Sequence, residues 1–383
     1  MLHSSFLEIS RSALKTNISF LKQQIGSDVK LSSVIKGNAY GHGIETFAPL
    51  AQSCGIDHFS VFSADEAQRL LDCLPKPATI MIMGYIDTTE LDWAIKHELE
   101  FFVFDLGRLE AAISVAQKLN KPAIVHIELE TGMNRTGFDL RDIEQLQKLL
   151  KGNREHLNLK GFCTHFAGAE SIENHERILK QQQQFKMLVT SLADEGLVAE
   201  NLHTACSAAM MAYPESHLNM VRVGIMQYGF WPSPETKSQF IMRAGNQTDP
   251  LQRLITWKSR IMSLKQVAAG DYIGYGTTFK AAHDMLLAII PVGYAWGYSR
   301  TLSNHGQVLI QEMRCNVVGI VNMNLMMVDV SHLKHVQPDN EVVLLGTQGK
   351  ETITVASFGE MSTQLNYELL TRLPANIPRL IVE

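Results

Sequence analysis

Three side chains that could form a covalent bond, move a proton or donate strong hydrogen bonds lie in or at the ends of short apolar segments of the chain. Lys36 ends LSSVIK, His165 lies near the end of LKGFCTHF, and Arg222 lies within MVRVGIMQYG. A lysine that enters a partly desolvated pocket has a lowered pKa, and its neutral amine can attack an aldehyde. An arginine among apolar strand residues needs a buried partner. Each residue alone also fits a structural role, such as a lysine extending from a strand end into solvent, so the fold around them must decide.

Eight short segments, most of them rich in β-branched or aromatic residues, alternate with helix-like segments. They are LSSVIK (31–36), HFSVFS (58–63), TIMIMG (79–84), LEFFVFD (99–105), AIVHIELE (123–130), LKGFCTHF (159–166), NLHTACS (201–207) and MVRVGIMQYG (220–229). In the segment before the first of them, Leu14, Ile18, Leu21 and Ile25 share one helical face. The alternation predicts a parallel sheet, and eight strands favour a closed (β/α)8 barrel over an open doubly wound sheet. No G-x-G-x-x-G follows the first strand, which also weighs against a dinucleotide-binding fold.

The pattern changes near AGNQTDP (244–250), after which strand candidates follow one another with turn residues between them. They are LITWKSRIMSLKQV, MLLAIIPVGY, QVLIQEM, NVVGIVNM, LMMVDVS and EVVLLGT. One helix is expected among them, near VASFGEMSTQL. We therefore expect a (β/α)8 barrel over residues 11–243 and a mostly β C-terminal domain over residues 244–383.

The polar residues of the barrel fall at the carboxyl ends of its predicted strands. In (β/α)8 enzymes this end of the barrel carries the active site. The residues concerned are Lys36, Arg135, His165, Ser207, Arg222 and Gly224. We therefore expect them to meet at one mouth of the barrel, although they are far apart in sequence.

The composition argues against several classes of protein. The chain has 383 residues, of which 45% are hydrophobic and 19% charged, as in an ordinary globular enzyme. A net charge of -5 leaves no broad basic surface for nucleic acid or an anionic membrane. Five widely spaced cysteines without a C-x-x-C pair argue against a disulfide framework or a zinc site, and no metal is expected. Because we find neither a secretory signal nor an apolar run of about 18 residues, we expect a cytoplasmic location.

The sequence around Lys36 is more specific than any single residue. V-I-K-G-N-A-Y-G-H-G closely resembles the cofactor-lysine motif of alanine racemases, usually K-A-N-A-Y-G-H-G, and Gly37 is the one difference in that core. Later segments resemble further motifs of the family in the same order: THFAGAE (164–170), HTACSAAM (203–210), VRVGIMQYG (221–229), IGYGTTF (273–279), PVGYAWGY (291–298) and NYELLTRL (366–373). The resemblance implies a barrel that binds pyridoxal 5'-phosphate, followed by a β domain that also includes residues 1–10.

The resemblance further implies an amino-acid racemase, most directly one that interconverts L- and D-alanine, with Lys36 carrying the cofactor as a Schiff base. Racemisation removes an α-proton from one face of the substrate and returns a proton on the other, so it needs two acid/base groups. Lys36 would be one of them and Tyr275 the other. A tyrosine with a pKa of about 10 is a poor base unless cations lower that pKa. His165 and Arg222 match the network that surrounds it in the family.

Arg222 also matches the residue beside the ring nitrogen of the cofactor. An arginine donates a hydrogen bond but cannot accept a proton, so the ring nitrogen stays neutral. A neutral ring stores the charge of the deprotonated substrate only briefly. This would favour quick reprotonation of the substrate over transamination.

The resemblance also assigns residues that bind the cofactor and the substrate. The phosphate would be held by Tyr40, Tyr367, Ser207 and the backbone N–H groups of Gly224 and Ile225. His203 would stack on the pyridine ring, Arg135 would hold the substrate, and the backbone of Met323 would meet the substrate carboxylate. In the family Tyr275 and Met323 come from a second subunit, so a homodimer with shared active sites is implied.

Several positions depart from the family's pattern. Glu128 stands where a carbamylated lysine is common, and we hypothesise that Glu128 or Glu130 orients Arg135 in its place. Positions near the family's substrate entrance also differ: Asn324 replaces an aspartate, Trp296 an acid and Ile320 an arginine. These changes bear on which amino acid is accepted.

Three alternatives remain open. A broad-specificity, serine or basic amino-acid racemase would carry the same motifs. Another enzyme of this barrel class is less compatible with the sequence, because the decarboxylases use an acid where this chain has Arg222 and the aldolases need a cluster of metal ligands. A non-catalytic carrier of pyridoxal phosphate would have no use for a second domain that supplies Tyr275.

Overall fold

The chain divides into two compact parts, which we name the barrel unit and the β unit. The structure, a computed structural model, describes residues 3–245, 248–355 and 366–383, except the side chains of residues 366 and 367. The barrel unit contains Ala13–Lys36 and Ala48–Gln252, and the β unit contains the residues up to Ser12, Gly37–Phe47 and the residues from Arg253 onward. The segment directly after Lys36 therefore belongs with the C-terminal part of the chain.

Eight parallel strands form the wall of the barrel unit. Numbered along the chain after β1 (Ser5–Ser10), they are β2 (Lys30–Val34), β3 (His58–Ser63), β4 (Thr79–Tyr85), β5 (Glu100–Val103), β6 (Ala123–Glu128), β7 (Leu157–Cys163), β8 (Asn201–His203) and β9 (Met220–Val223). They pair in the order β8–β7–β6–β5–β4–β3–β2–β9, and a parallel bridge between Cys206 and Arg222 continues the pairing from the β8 side to β9. The predicted (β/α)8 fold is confirmed as a nearly closed barrel.

Helices connect the strands of the barrel unit. The α-helices are Arg11–Ile25, Ile44–Ser53, Ala64–Cys73, Leu91–Lys96, Leu106–Leu119, Ile143–Gly152, His175–Asp194, Ser207–Ala212 and Pro234–Ala244. Short 3-10 helices are Thr88–Glu90, Ile172–Asn174, Pro214–Ser216 and Ile225–Tyr228. The predicted face of Leu14, Ile18, Leu21 and Ile25 is buried, because apolar residues at helical spacing pack on one side. In the described ranges, no helix has the length and apolar character needed to cross a membrane.

The β unit is built on one ten-stranded sheet. Besides β1, its strands are β10 (Ile255–Arg260), β11 (Ser263–Val267), β12 (Met285–Ile290), β13 (Gln307–Ile310), β14 (Met313–Val318), β15 (Met326–Asp329), β16 (Glu341–Gln348), β17 (Glu351–Ile353) and β18 (Arg379–Val382). The order is β11–β12–β15–β14–β13–β16–β10–β1–β18, with β17 beside β16. The N-terminal strand β1 thus pairs with β10 on one side and, in parallel, with β18 on the other. The predicted mostly β character of this part of the chain is confirmed.

Two short 3-10 helices and one α-helix complete the described part of the β unit. They are Tyr294–Trp296, Arg300–Leu302 and Asn366–Thr371. The helix predicted near residues 355–365 lies, except for Val355, outside the described residues. One part of the apolar core packs between β11, β12, β14 and β15 and consists of Ile273, Ala281, Met285, Leu287, Val318 and Met327.

A left-handed turn follows Lys36 directly. Residues 37–40 all have φ between 50° and 63°, a region that costs about 1–2 kcal/mol for each residue with a side chain. Within the β unit, Gly41 has a φ of +81°, and a Cβ there would lie 1.8 Å from the carbonyl oxygen of Leu370. Arg379 donates from Nη2 and Nε to the carbonyl of Gly41, at 2.8 and 3.1 Å. Strained backbone of this kind concentrates at functional sites, which singles out the segment beside Lys36.

Candidate active site

Lys36 lies just beyond β2, at the carboxyl end of the barrel strands. Burial of the amine is the largest cause that lowers the pKa of Lys36, and the positive charge of Arg135 lowers it further. The negative charge of Glu66, in the first turn of helix Ala64–Cys73, opposes this, and Arg222 adds to the lowering. The side chain nevertheless remains exposed. A ligand can therefore reach an amine that releases its proton more readily than an ordinary lysine.

Arg222 lies in β9 and is buried. Its Nη1 donates to Nδ1 of His203 and, at 2.8 Å, to the carbonyl of the same residue. Its Nη2 donates to the carbonyls of Thr164 at 2.7 Å and Thr204 at 3.4 Å. The guanidinium has five N–H groups, and the remaining one, on Nε, has no acceptor among the described residues. Four hydrogen bonds within the described protein thus hold the guanidinium of Arg222, and its Nε–H is left to donate to a ligand.

His203 belongs to a buried chain of side chains that the sequence analysis missed. Its Nε2 lies 2.8 Å from Nδ1 of His126, and Nε2 of His126 lies 2.8 Å from Oε2 of Glu100. Nε2 of His58 lies 3.3 Å from the same oxygen. All four side chains are buried. The available signal was a charged or titratable residue inside each of four strand segments, but alternation along a strand does not reveal which residues of different strands meet.

His165 lies two positions beyond the end of β7 and is a neutral histidine. Burial is the largest cause that lowers its pKa to about 3, and the positive charges of Arg222, Arg135 and Lys36 lower it further. These effects show that His165 shares one electrostatic environment with the three cations at the mouth of the barrel. In the network expected around Tyr275, the positive charge would therefore come from Arg222.

Glu130 organises the loop that carries Arg135. Its carboxylate accepts the backbone N–H of Gly132, that of Asn134 at 2.9 Å and that of Arg135 at 3.4 Å. These bonds satisfy the donors of a tight turn after β6. Glu130 therefore positions the backbone of the loop rather than the guanidinium of Arg135.

Glu128 is the last residue of β6. It is buried and accepts the hydroxyl of Thr136 at 2.8 Å. Burial is the largest effect on the pKa of Glu128 and raises it, although the bond from Thr136 and the positive charges of Arg222 and Arg135 oppose the rise. The charge of Arg135 acts on Glu128, and that Glu128 orients Arg135 stays a hypothesis.

Ser207 and Gly224 meet where β8 and β9 end. The backbone N–H of Gly224 donates to Oγ of Ser207 at 3.0 Å, and both residues are buried. This N–H is used within the protein, while the hydroxyl proton of Ser207 remains available. Ile225 begins the next 3-10 helix, and its N–H has no acceptor in the described part of the chain. A phosphate here would find the Ser207 hydroxyl and the Ile225 N–H as donors.

The remaining predicted residues lie in the β unit. Tyr275 and Met323 are exposed, at 71% and 55% of their full surface. Tyr40 ends the left-handed turn and is half-buried. Tyr367 lies in helix Asn366–Thr371, and its side chain is outside the described part of the structure. Among the positions that depart from the family's pattern, Asn324 is exposed, and two are half-buried: Trp296 and Ile320.

Comparison with known proteins agrees with this architecture over almost the whole chain. The family model "Alanine racemase, N-terminal domain" matches residues 9–232, and "Alanine racemase, C-terminal domain" matches residues 254–381. The two models together span the eight barrel strands and, apart from most of β1 and the last residue of β18, the strands of the β unit. The chain belongs to the alanine racemase family.

Individual relatives show the extent of the likeness. The alanine racemase of Leptospira interrogans is 33% identical over 381 residues, which cover 100% of this chain and 96% of the relative. Alanine racemase 1 of Caldanaerobacter subterraneus is 34% identical over 373 residues, covering 97% of this chain and 93% of the relative. The crystal structure of alanine racemase from Bacillus anthracis with bound L-Ala-P has a TM-score of 0.90 at 29% identity, covering 100% of this chain and 96% of that one.

Proposed function

We propose that this chain interconverts L- and D-alanine with pyridoxal 5'-phosphate as its cofactor. The observation that carries the proposal is the mouth of the barrel, where Lys36, Arg135, His165 and Arg222 share one electrostatic environment. The amine has a lowered pKa and can be reached from solvent, as a lysine that captures an aldehyde requires. The names of the relatives support alanine as the substrate.

The residues of the barrel mouth fit this cofactor. Lys36 would hold it covalently through its amine, and Ser207 with the N–H of Ile225 would hold its phosphate. The Nε–H of Arg222 would donate to its ring nitrogen, because the other four N–H groups have acceptors and this one has none within the described ranges. When bound, pyridoxal phosphate supplies a conjugated ring that withdraws electrons from the α-carbon of an amino acid.

Proton transfer is the task of the chain's own side chains. In our proposal, Nζ of Lys36 exchanges a proton with one face of the α-carbon, and Oη of Tyr275 does so with the other. Arg222 cannot accept a proton, so it keeps the ring nitrogen unprotonated and limits side reactions. Arg135, held by the loop that Glu130 organises, would bind the substrate carboxylate together with the backbone of Met323.

We further propose that Tyr275 and Met323 act in the active site of a second copy of this chain. Their large exposed fractions support this role, since a side chain that completes a site on another subunit must be uncovered in the free one. The active enzyme would then be a homodimer, and size determination in solution tests this. The five cysteines, none of which is in a disulfide, support a reducing cytoplasm as its location.

Exchange of the α-hydrogen of alanine in deuterated solvent tests the reaction. The purified protein with added pyridoxal phosphate should incorporate deuterium at the α-carbon and yield both enantiomers on chiral chromatography. Lys36→Ala should lose the colour of bound cofactor and reduce turnover by more than about a thousandfold. Lys30→Ala, at the opposite end of the same strand, is the matched control and should keep both. A wild-type protein that neither exchanges nor inverts alanine would refute the proposal.

A racemase of broader specificity is the second candidate. The substitutions Trp296, Ile320 and Asn324, at positions that in related sequences lie near the substrate entrance, favour testing it. The same chromatographic assay with serine and lysine decides between the candidates. A kcat/KM for either amino acid above that for alanine would make the broader activity the main one.

A further inference from the structure

A continuous chain of hydrogen bonds crosses the inside of the barrel and ends on Arg222. It begins at Glu100 in β5, passes through His126 in β6 and His203 in β8, and reaches Nη1 of Arg222 in β9. The distance from Oε2 of Glu100 to Nε2 of His126 is 2.8 Å, and the distance from Nδ1 of His126 to Nε2 of His203 is also 2.8 Å. Every member is buried, so each hydrogen bond lacks a competing water and must be satisfied within the chain.

The two ends of the chain fix the direction of every bond in it. Arg222 can only donate, so Nδ1 of His203 must be the unprotonated nitrogen and its Nε2 must carry the proton. That proton is donated to Nδ1 of His126, which leaves the proton of His126 on its Nε2. An ionised Glu100 can only accept, and it receives this last proton. A positive and a negative residue are thereby connected through two neutral rings with a single allowed tautomer each.

The charges of the neighbouring groups agree with neutral rings and an ionised carboxylate. Burial alone would raise the pKa of Glu100, but the hydrogen bonds from His126 and His58 outweigh it and the pKa is lowered. Burial lowers the pKa of His126, and burial followed by the charge of Arg222 lowers that of His203. Nε2 of His58 lies 3.3 Å from the carboxylate of Glu100, which can only accept, so the proton of His58 is on Nε2 and its Nδ1, 2.9 Å from Oγ of Ser32, accepts from that hydroxyl.

The absence of a side chain at Gly161 leaves room for the imidazole of His126. A Cβ on Gly161 in β7 would lie 2.0 Å from Nδ1 of His126, the atom that accepts from His203. The ring of Phe102 packs beside both imidazoles, with centroid distances of 6.1 Å to His126 and 5.8 Å to His203. The chain is therefore built into the packing of the barrel and is not a chance approach of polar groups.

We propose that Glu100 is a positioning residue that acts through His126 and His203 to hold the guanidinium of Arg222 in one orientation. The inference rests on the function proposed above, because it assigns the ring nitrogen of the cofactor to the free Nε–H of Arg222. Since Glu100 only accepts, His203 can only present an acceptor to Arg222. If the direction of the chain were reversed, His203 would present an N–H to the guanidinium, and Arg222 would lose its Nη1 bond and turn.

Nitrogen-15 NMR of histidine-labelled protein tests the tautomers directly. In the wild type, with or without cofactor, His126 and His203 should each carry the proton on Nε2. Glu100→Met removes the acceptor at nearly unchanged volume, so we expect His203 to show a second tautomer. Glu100→Gln keeps an acceptor oxygen and should restore the single tautomer. Ser5→Ala, which removes the buried partner of the Trp257 indole at 2.6 Å, is the control for general destabilisation and should leave the histidine signals unchanged.

Kinetics of the holoenzyme separate positioning from simple structural damage. Glu100→Met should lower kcat for alanine roughly 10-fold with KM within about 2-fold of wild type, and Glu100→Gln should recover most of the loss. A wild-type His203 protonated on Nδ1, or a Glu100→Met protein with wild-type tautomers or wild-type kcat, overturns the proposal. If Glu100→Met does not fold, Gly161→Ala displaces His126 without removing a polar group, and the same criteria apply. If the wild-type protein has no racemase activity, the proposed function is refuted. The NMR measurement of the tautomers of His126 and His203 tests the hydrogen-bond chain independently of that result.

Discussion

His42 makes the stability of the β unit depend on pH. The residue is buried next to the left-handed turn at residues 37–40, and its Nδ1 donates to the carbonyls of Ala39 at 3.1 Å and Tyr40 at 3.0 Å. Burial is the largest effect on the pKa of His42 and, although the two carbonyls raise it, the pKa is lowered to about 4. The folded protein therefore holds this ring neutral at pH values where an ordinary histidine is charged.

The sign of the effect follows from proton binding in the two states. The unfolded chain binds a proton at His42 below about pH 6.5, whereas the folded protein binds it only below about pH 4. Between these values the unfolded state holds more protons, so the free energy of unfolding rises with pH by about 1.4 kcal/mol per unit. The contribution of His42 is thus complete above pH 6.5 and falls by about 3 kcal/mol as the pH approaches 4.

His42→Asn isolates this effect. The asparagine amide can donate from about the position of Nδ1, but it does not titrate. We expect urea unfolding to show that the wild type loses about 3 kcal/mol more stability than the variant between pH 7 and pH 4. Other histidines with lowered pKa, such as His165, affect both proteins equally and cancel in the difference. Equal pH dependence in the two proteins, or an ordinary pKa for His42 by NMR, would show that the reasoning is wrong.

Two further substitutions test the left-handed turn and the substrate site. Gly41→Ala should lower the free energy of unfolding by at least about 2 kcal/mol, because its Cβ would meet the carbonyl of Leu370. Gly26→Ala has a similar φ of +79° with open space around the Cβ, so calorimetry should show a clearly smaller loss for it, and equal losses would contradict the steric account. Glu128→Gln should raise KM for alanine roughly 10-fold through weaker orientation of Arg135, and an unchanged KM in the racemase assay would end that hypothesis.

The strands were predictable because each depends on its own residues. HFSVFS and most of the other segments contain enough β-branched and aromatic side chains to be recognised without knowledge of their neighbours, and each of the eight overlaps a strand in the structure. Six of the eight were predicted to run too far at the carboxyl end, whereas HFSVFS ends as predicted and TIMIMG was predicted one residue too short. NLHTACS, for example, forms strand only over Asn201–His203, with one further bridge at Cys206, because its last residue begins helix Ser207–Ala212.

The conformation after Lys36 could be predicted only in part. Gly37 gave a local signal, since glycine adopts positive φ without penalty. Ala39 and Tyr40 gave none, because residues with side chains avoid this region unless the surrounding structure imposes it. The partners that hold the turn, such as Arg379, are more than 330 positions away in sequence, and pattern alone does not pair residues across that distance.

The hydrogen-bond chain from Glu100 could not be predicted from the sequence for a similar reason. Glu100 and His126 are polar positions in strand segments, and the sequence indicated no partner for either of them, while the resemblance assigned His203 and Arg222 only to the cofactor site. Whether such residues meet depends on how far each strand of a barrel is shifted against the next. That stagger is a property of the closed sheet and cannot be read from any one segment.

Burying polar side chains costs free energy, which argues that the hydrogen-bond chain from Glu100 orients Arg222 and does not serve to stabilise the fold. Replacing a buried polar network by apolar side chains of similar volume is often neutral or stabilising, and β4 shows that this barrel accepts such side chains, since Ile80 and Ile82 are buried within it. Stability alone therefore gives no reason to keep a carboxylate at Glu100. A guanidinium that must present one defined N–H to a ligand does give a reason, because apolar neighbours could enclose Arg222 but could not determine which of its donors remains free.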